Sequence, residues 1–88
     1  MHAKEIWLVK GYTGEYSDAR DWTVFGYTTE AEANKHRDAA QAAVLGSEEW
    51  DYEKRSRFKN PHDPQCTIDY TGATYRVEMV EVRERFEG

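Results

Sequence analysis

Two early runs of mainly apolar residues, separated by a polar stretch, are rich in the β-branched and aromatic residues that are typical of β-strands. In residues 5–10 (EIWLVK) both alternating sets of side chains contain large apolar residues, so we expect this strand to be covered on both faces and to lie at the centre of a sheet. Residues 21–27 (DWTVFGY) predict a second strand. The polar stretch between the two segments predicts a hairpin with a long loop.

A further strand is predicted near the carboxyl end, where residues 73–86 (ATYRVEMVEVRERF) form the longest candidate. The phase of its alternation slips at Met79 and Val80, which indicates either a β-bulge at that point or a strand that is buried differently at its two ends. Residues 66–70 (CTIDY) are a candidate for a short additional strand. The pattern therefore predicts three or four strands.

A helix is predicted to begin at Thr29, since Thr29 and Glu32 have the spacing of a capping box. The Ala-rich segment that follows favours helix and presents a thin apolar stripe. The stripe consists of Ala33, Ala40 and Val44, with the stem of Arg37 between them. Such small side chains allow a helix to approach a sheet closely.

A second helix is predicted over Ser47 to Phe58. Gly46 suits the left-handed residue that ends a helix, and Ser47 followed by two glutamates suits the N-cap of a new one. Prolines at 61 and 64 end that helix, because the residue before a proline is pushed out of helical geometry.

The predicted order of elements is β-β-α-α-(β)-β, which indicates an α+β fold. We expect a small antiparallel sheet of three to four strands, with one or two helices packed on one face and the first strand between the second and the last. The motif Tyr-Thr-Gly occurs at residues 12–14 and 70–72, and this arrangement brings both copies to the same edge of the sheet. A chain of 88 residues fits a single domain, residues 1–88.

Composition narrows the classes of function. Hydrophobic residues make up 39% and charged residues 33%, as in folded globular proteins. The net charge of −5 disfavours direct nucleic-acid binding and favours a basic protein surface as partner. The sequence contains neither the roughly 20 apolar residues of a membrane helix nor the apolar run of a signal peptide, and a single cysteine agrees with a reducing compartment. These features predict a cytoplasmic protein.

The first loop has the composition of a recognition loop, because tyrosine and tryptophan offer rigid contact area while short polar residues adapt their hydrogen bonds. The alternative is a purely structural turn, in which glycine permits the bend and the polar residues cap backbone amides. The second Tyr-Thr-Gly motif is its expected neighbour. The candidate partner-binding residues are Tyr12, Glu15, Tyr16, Ser17, Asp18, Arg20, Asp21, Trp22, Tyr70 and Thr71.

Catalytic and metal chemistry find little support in the sequence. The loop's carboxylates lack any sign of the burial that prepares a general acid or base, and Ser17 lacks the context of a nucleophile. His62, Asp63 and Cys66 are closely spaced, but no second pair of ligands accompanies them as zinc sites require. Motifs for nucleotide cofactors are also missing. We therefore expect a protein that is not an enzyme and that has no cofactor and no metal.

A basic cluster, Lys54, Arg55 and Arg57, lies between aromatic residues and is a candidate anion-binding site. The alternative is that these cations offset the dipole at the end of a helix whose first turns are acidic. The sequence favours this structural interpretation.

A segment from Val9 to Ala43 resembles small proteins encoded by phages and prophages. The residues that carry the resemblance are G-x-TGEYSD-x-x-DW, an apolar strand and a helix that opens TTEAEA, with a fainter echo in DYTGATYRVEMVEV. The resemblance implies a small accessory protein that docks on a host macromolecular complex and inhibits it, as anti-CRISPR and other counter-defence proteins do.

The leading hypothesis is thus a non-enzymatic protein that binds a host protein or complex in the host cytoplasm. One alternative is a small-ligand binder or minor enzyme acting on a nucleotide or phosphorylated molecule, with arginines meeting the anion and an aromatic ring stacking on a base. Another is a homodimer that forms through an exposed sheet edge.

Overall fold

A computed structural model describes residues 4–85 and contains one three-stranded antiparallel sheet. The strands are β1, Lys4–Thr13, β2, Arg20–Tyr27, and β3, Ala73–Val82. Their order is β2-β1-β3, so the predicted central position of the first strand is confirmed. Residues 1–3 and 86–88 lie outside the described part, and with them Phe86, the last residue of the predicted third strand.

Helix α1, Glu30–Ala43, packs against all three strands and provides one wall of the core. The predicted stripe is confirmed, because Ala33, Ala40 and Val44 are fully or almost fully buried against Val9. Their small side chains let the helix lie close to the sheet. The α+β fold predicted from the sequence is therefore correct.

The predicted second helix over Ser47 to Phe58 is wrong in its extent. The segment forms a 3₁₀ turn, Ser47–Glu49, and then a separate helix α2, Tyr52–Arg57. The break occurs because Asp51 takes an extended conformation and caps α2, its carboxylate accepting a hydrogen bond from the Lys54 amide at 2.8 Å. Ser47 is buried and its hydroxyl accepts a hydrogen bond from the Ala73 amide, so it holds β3 instead of starting a long helix.

The candidate strand at residues 66–70 is absent from the described sheet. Its backbone groups bond elsewhere: the Asp69 amide donates to the hydroxyl of Thr13, and the Cys66 amide donates to the carbonyl of Asp63. A single bridge between Asp69 and Gly72 is all the β-pairing that remains near this segment. The sheet thus has three strands.

Of the two explanations for the slip at Met79 and Val80, the bulge is wrong, since β1 and β3 pair without interruption from Lys4 opposite Val82 to Thr13 opposite Ala73. The register shifts instead between β1 and β2, at Val9 and Lys10. The slipped alternation of β3 reflects the other interpretation, different burial at its two ends. Its first half lies under α1, whereas its second half extends past the helix and is exposed on both faces.

The centre of the packed face is the buried carboxylate of Asp63. One of its oxygens, Oδ2, accepts hydrogen bonds from the Trp22 indole N–H at 2.8 Å and from the Tyr75 hydroxyl at 2.7 Å. The other, Oδ1, accepts one from the Gln65 amide at 3.0 Å. The buried side-chain amide of Asn60 donates to the Tyr75 oxygen and to a carbonyl of α1. One cluster therefore joins β2, β3, α1 and the loop of residues 60–66.

Gly11 makes room for this cluster. A Cβ atom at Gly11 would stand 2.4 Å from two carbons of the Trp22 indole, so only glycine lets the ring lie against β1. The indole also meets the Tyr75 ring edge-on, with ring centroids 6.4 Å apart. The position of Trp22 thus depends on a neighbour that has no side chain.

Burial affects two ionisable groups beside Asp63. It raises the pKa of the Tyr75 hydroxyl, and hydrogen bonding to Cys66 and Asp63 adds to the effect. Burial likewise raises the pKa of the Cys66 thiol. Both groups therefore stay protonated at neutral pH, which keeps Tyr75 a hydrogen-bond donor. Among the helices of residues 4–85, none combines the length and apolar character needed to cross a bilayer.

We predict that Asp63→Ala lowers the free energy of unfolding by about 3 kcal/mol, because it leaves the Trp22 N–H and the Tyr75 hydroxyl buried without an acceptor. Urea denaturation followed by tryptophan fluorescence measures the change. The matched control is Asp38→Ala, which removes an exposed carboxylate and should cost less than about 0.5 kcal/mol. Equal losses in the two variants would contradict the central role of Asp63.

Candidate functional site

The two Tyr-Thr-Gly motifs meet at one end of the sheet, as predicted. The hydroxyl of Thr13 donates to the carbonyl of Gly72 at 2.8 Å and accepts from the amide of Asp69 at 2.7 Å. In return, the hydroxyl of Thr71 accepts from the amide of Gly14 at 3.0 Å. The threonine of each motif thus bonds to backbone of the other segment, which explains why both contain one.

Glycine is required at the third position of each motif because the backbone there is left-handed. Gly14 has φ 84° and Gly72 has φ 82°. Close packing reinforces this requirement, since a Cβ at Gly14 would stand 2.5 Å from the carbonyl oxygen of Asp18 and one at Gly72 would stand 2.9 Å from the amide of Glu48. The predicted turn role of both glycines is confirmed.

Residues 14–19 and 69–72 form a protrusion that we call the YTG tip. Within it, Tyr16 has 92% of its surface exposed and a left-handed backbone with φ 55°, which is uncommon for a residue with a side chain. A one-turn 3₁₀ helix, Tyr16–Asp18, holds this conformation. The Asp18 carboxylate closes the turn by accepting a hydrogen bond from the Glu15 amide at 3.1 Å.

Tyr70 is the second aromatic residue of the YTG tip and is 55% exposed. The negative charge of Asp18, above all, raises the pKa of its hydroxyl, with smaller contributions from Glu15 and Asp69. The acidic groups of both segments are therefore close enough to act on one tyrosine. The YTG tip presents two exposed tyrosines among three carboxylates.

Beside the YTG tip, on the sheet face opposite α1, lies an open cleft of about 350 Å³. We call this uncovered side of the sheet the open face. The Arg76 guanidinium lies 4.5 Å from the centre of the Tyr12 ring, a cation–π contact, and the Tyr12 hydroxyl donates a hydrogen bond to the Glu78 carboxylate. That hydrogen bond is the main cause that raises the pKa of the Tyr12 hydroxyl, and burial is the second. The lining residues of the cleft are Tyr12, Thr13, Gly14, Glu15, Ala19, Arg20, Asp21, Thr71, Gly72, Thr74 and Arg76.

Charges in and near this cleft largely offset one another. Arg20 and Asp21 begin β2 and line the same wall. Lys10 lies between two carboxylates, 3.7 Å from that of Asp21 and 4.0 Å from that of Glu78. The cleft therefore has no strong excess of positive charge.

The fold brings nine of the ten candidate partner-binding residues to this end of the sheet. Ser17 lies in the exposed turn of the YTG tip. Trp22 is the exception, because its half-buried indole is turned to the packed face and bonds to Asp63. The nine are Tyr12, Glu15, Tyr16, Ser17, Asp18, Arg20, Asp21, Tyr70 and Thr71.

The candidate anion-binding residues all have neighbours within their own segment of the chain. Lys54 lies over the Trp50 ring with its Nζ 4.4 Å from the ring centroid, and Arg55 donates to the Trp50 carbonyl. Arg57 pairs with Glu53 one helical turn away at 3.3 Å. These contacts match the structural interpretation of the cluster, and an anion site there stays a prediction.

Of the three residues considered for metal binding, Asp63 and Cys66 lie beside Tyr75, whereas the ring of His62 lies next to that of His36. The carbonyl of His62 accepts a hydrogen bond from Nε2 of His36 at 2.6 Å, while Asp63 is occupied by its own donors. In residues 4–85 no group of three or more histidine, cysteine or acidic side chains converges on a common point. Nδ1 of His36 lies 2.8 Å from the Tyr27 hydroxyl, so His36 links β2, α1 and the loop of residues 60–66.

Sequence reasoning missed two residues of this region. Asp69 stands next to the second motif, but its contribution to the YTG tip depends on the Thr13 contact, which joins residues 56 positions apart. Arg76 belongs to the polar phase of β3, and only the register between β1 and β3 places it over Tyr12. The polar phase was readable from the sequence, whereas the register was not.

We predict that Thr13→Val detaches the second motif from the first, because it removes one acceptor and one donor from a buried position. The free energy of unfolding should fall by about 2 kcal/mol. The amide of Asp69 should exchange its hydrogen much faster, as measured by NMR. The isosteric change Thr67→Val, at an exposed position, is the control, and slow exchange of Asp69 in Thr13→Val would refute the assignment.

We predict that Asp18→Asn lowers the pKa of the Tyr70 hydroxyl, because Asp18 is the largest source of its upward shift. The Tyr70 titration is isolated as the absorbance difference between the chain and its Tyr70→Phe variant, recorded with and without Asp18→Asn. As a control, Asp38→Asn on α1 removes a carboxylate that is not among the causes of the Tyr70 shift, and it should leave the midpoint unchanged. An unchanged midpoint with Asp18→Asn would show that the two segments are not close in solution.

Comparisons with protein-family models, with curated proteins and with solved structures gave no match to this chain. The resemblance to phage-encoded proteins therefore stays a prediction from the sequence.

Proposed function

We propose that this chain is a non-enzymatic binding protein whose YTG tip docks on a basic surface of a host macromolecular complex. In this proposal the protein is a phage accessory factor of anti-CRISPR or other counter-defence type that acts in the host cytoplasm and inhibits the complex. The observation that carries the proposal is the YTG tip itself: two segments 57 residues apart are locked together by hydrogen bonds and present Tyr16 and Tyr70 to solvent.

Exposed tyrosines are suited to protein recognition. A tyrosine buries a large area with few rotatable bonds, and aromatic anchors carry much of the energy in many interfaces. Tyr16 is almost fully exposed, and its left-handed backbone lies within the 3₁₀ turn Tyr16–Asp18. The Tyr16 side chain is thus accessible to a partner on an ordered turn.

The carboxylates of the YTG tip favour a basic partner. Glu15, Asp18 and Asp69 surround the two tyrosines, and the whole chain carries a net charge of −5. Complementary charge accelerates encounter and rejects acidic partners. Because the Thr13 and Thr71 hydrogen bonds organise the YTG tip in advance, little conformational entropy is lost on binding.

A second candidate function is the binding of a nucleotide or another phosphorylated small molecule in the neighbouring cleft. Arg20 and Arg76 line it beside the Tyr12 ring, a combination that suits a phosphate and a base. Glu15 and Asp21 line the same cleft and weaken its attraction for anions. For this reason the protein-docking function is preferred.

Quantitative affinity capture from bacterial lysate tests the proposal. The bait chain is compared with Tyr16→Ala,Asp18→Ala, which removes one tyrosine and one acid from the YTG tip. The matched control, Tyr52→Ala,Glu53→Ala, likewise removes one tyrosine and one acid, from exposed positions on α2. We expect a basic partner complex that the bait and the control capture alike and that the YTG tip variant loses by at least about tenfold.

Two outcomes would refute the docking function: no specific partner for the bait, or equal capture by the YTG tip variant. A thermal-shift screen with nucleotides and inorganic phosphate separates the second candidate. Saturation at 100 times the dissociation constant should stabilise the fold by about 2.7 kcal/mol, and the shift should vanish with Arg76→Ala if the cleft is the site.

A further inference from the structure

The outer edge of β3 is protected along its first half only. The carbonyl and amide of Tyr75 bond to the side chains of Arg37 and Gln41, at 3.0 and 2.8 Å. Ala73 is held in the same way, its amide donating to Ser47 and its carbonyl accepting from Gln41. Side chains from α1 and the turn after it thus take the place of a neighbouring strand.

The second half of that edge is open. Backbone groups alternate in direction along a strand, so Val77, Met79 and Glu81 point the same way as Tyr75. Within residues 4–85, no side chain or strand bonds to the outward groups of these three residues. Three donors and three acceptors therefore lie in a row along this edge without a bonded neighbour in the described part of the chain.

The second half of β3 also exposes apolar side chains. Met79, Val80 and Val82 are 51%, 41% and 44% exposed, on both faces of the strand. A regular edge strand with exposed apolar side chains is a site of strand-to-strand association. This hydrophobic exposure coincides with the open half of the edge.

The other edge strand, β2, is less suited to pairing with a further strand. Its pairing with β1 is shifted by one residue at Val24, and such bulges disfavour further pairing. The side chain of Gln65 also occupies an outward carbonyl, that of Thr23, at 2.9 Å. Association through β2 is therefore disfavoured relative to β3.

We propose that two copies of this chain pair through the open half of β3, in antiparallel orientation, to form a continuous six-stranded sheet. A two-fold axis through Met79 pairs the three open residues with one another: Met79 with its own copy, and Val77 with Glu81. Each hydrogen-bonded pair exchanges two bonds, so six backbone hydrogen bonds form. Any other antiparallel register would pair fewer of these residues.

This register places no like charges opposite each other. Glu78 lies opposite Val80 of the second copy, Glu81 lies opposite Val77, and Arg76 lies opposite Val82. No two charges of the same sign face each other directly, and the exposed valines gain neighbours. α1 lies over the first half of β3 in each copy, so the two helices are displaced in opposite directions from the axis and do not collide.

The dimer has a consequence for the YTG tip. Residues 69–72 of each YTG tip immediately precede β3, about seven residues from the axis, so the two YTG tips lie at opposite ends of the dimer, roughly 45 Å apart. Such a dimer would be bivalent. The dimer itself does not depend on what the YTG tip binds.

Sedimentation velocity and light scattering over a concentration series test the dimer. We expect a transition from the 10.3 kDa monomer to twice that mass in the micromolar range, as suits a small interface. In Val80→Glu, the new glutamate of each copy lies opposite Glu78 of the other copy, and the dimer should be weakened by about tenfold. In Val80→Lys, a lysine lies opposite Glu78 instead, and the dimer should be preserved or strengthened. A chain that stays monomeric to about 1 mM, or equal effects of the two variants, would overturn the proposal.

A thiol cross-link tests the register independently. In a Cys66→Ala background, Met79→Cys should form an intermolecular disulfide under mild oxidation, because residues paired on the axis have Cα atoms about 5.5 Å apart. Glu81→Cys is the control, since its copy is separated from it by four residues along the strand. Cross-linking of Glu81→Cys as fast as Met79→Cys would exclude this register.

Discussion

The hydrogen bonds of the Asp63 carboxylate are the interaction on which the rest of this small structure depends. A buried carboxylate is costly unless donors surround it, and here Trp22, Tyr75 and a backbone amide do so. The donors come from β2, β3 and the loop that carries Asp63 itself, so the charge is satisfied only when these elements are assembled. Gly11 contributes by leaving space for the indole. In this fold of one sheet and one main helix, the hydrogen bonds of Asp63 thus join the elements at a place where large apolar side chains do not.

This centre lies on one side of the sheet, and that asymmetry determines which surfaces are left for function. The smallest extent of the molecule, 16 Å, corresponds to a single layer of helix on a single sheet. Helix α1 spans a shorter distance than strands β1 and β3. The packed region therefore ends before the strands do. At one end the strands lead into the YTG tip, where Thr13 and Thr71 lock two turns together. At the other end β3 is left with an open edge.

Local signals in the sequence predicted the elements whose residues respond mainly to their neighbours in the chain. The predictions of the stripe of α1, the left-handed Gly46, the turns at Gly14 and Gly72, and the central first strand were all correct. The errors arose where distant groups compete for the backbone. Ser47 looks like an N-cap but bonds to β3, and residues 66–70 look like a strand but bond to Thr13 and Asp63.

By itself, the sequence determined the α+β class, the order of the main elements and the concentration of tyrosine and acidic residues in one loop, because periodicity, capping and turn preferences act over a few residues. The tertiary structure alone decided that Trp22 bonds to Asp63 on the packed face, that Asp69 and Tyr70 join Tyr16 in the YTG tip, and that half of the outer edge of β3 has no bonded neighbour among residues 4–85. These facts depend on strand register and on hydrogen bonds across 40 to 60 residues. Such contacts contribute stability only when the distant segments have come together in the folded chain. No local sequence pattern therefore predicts them.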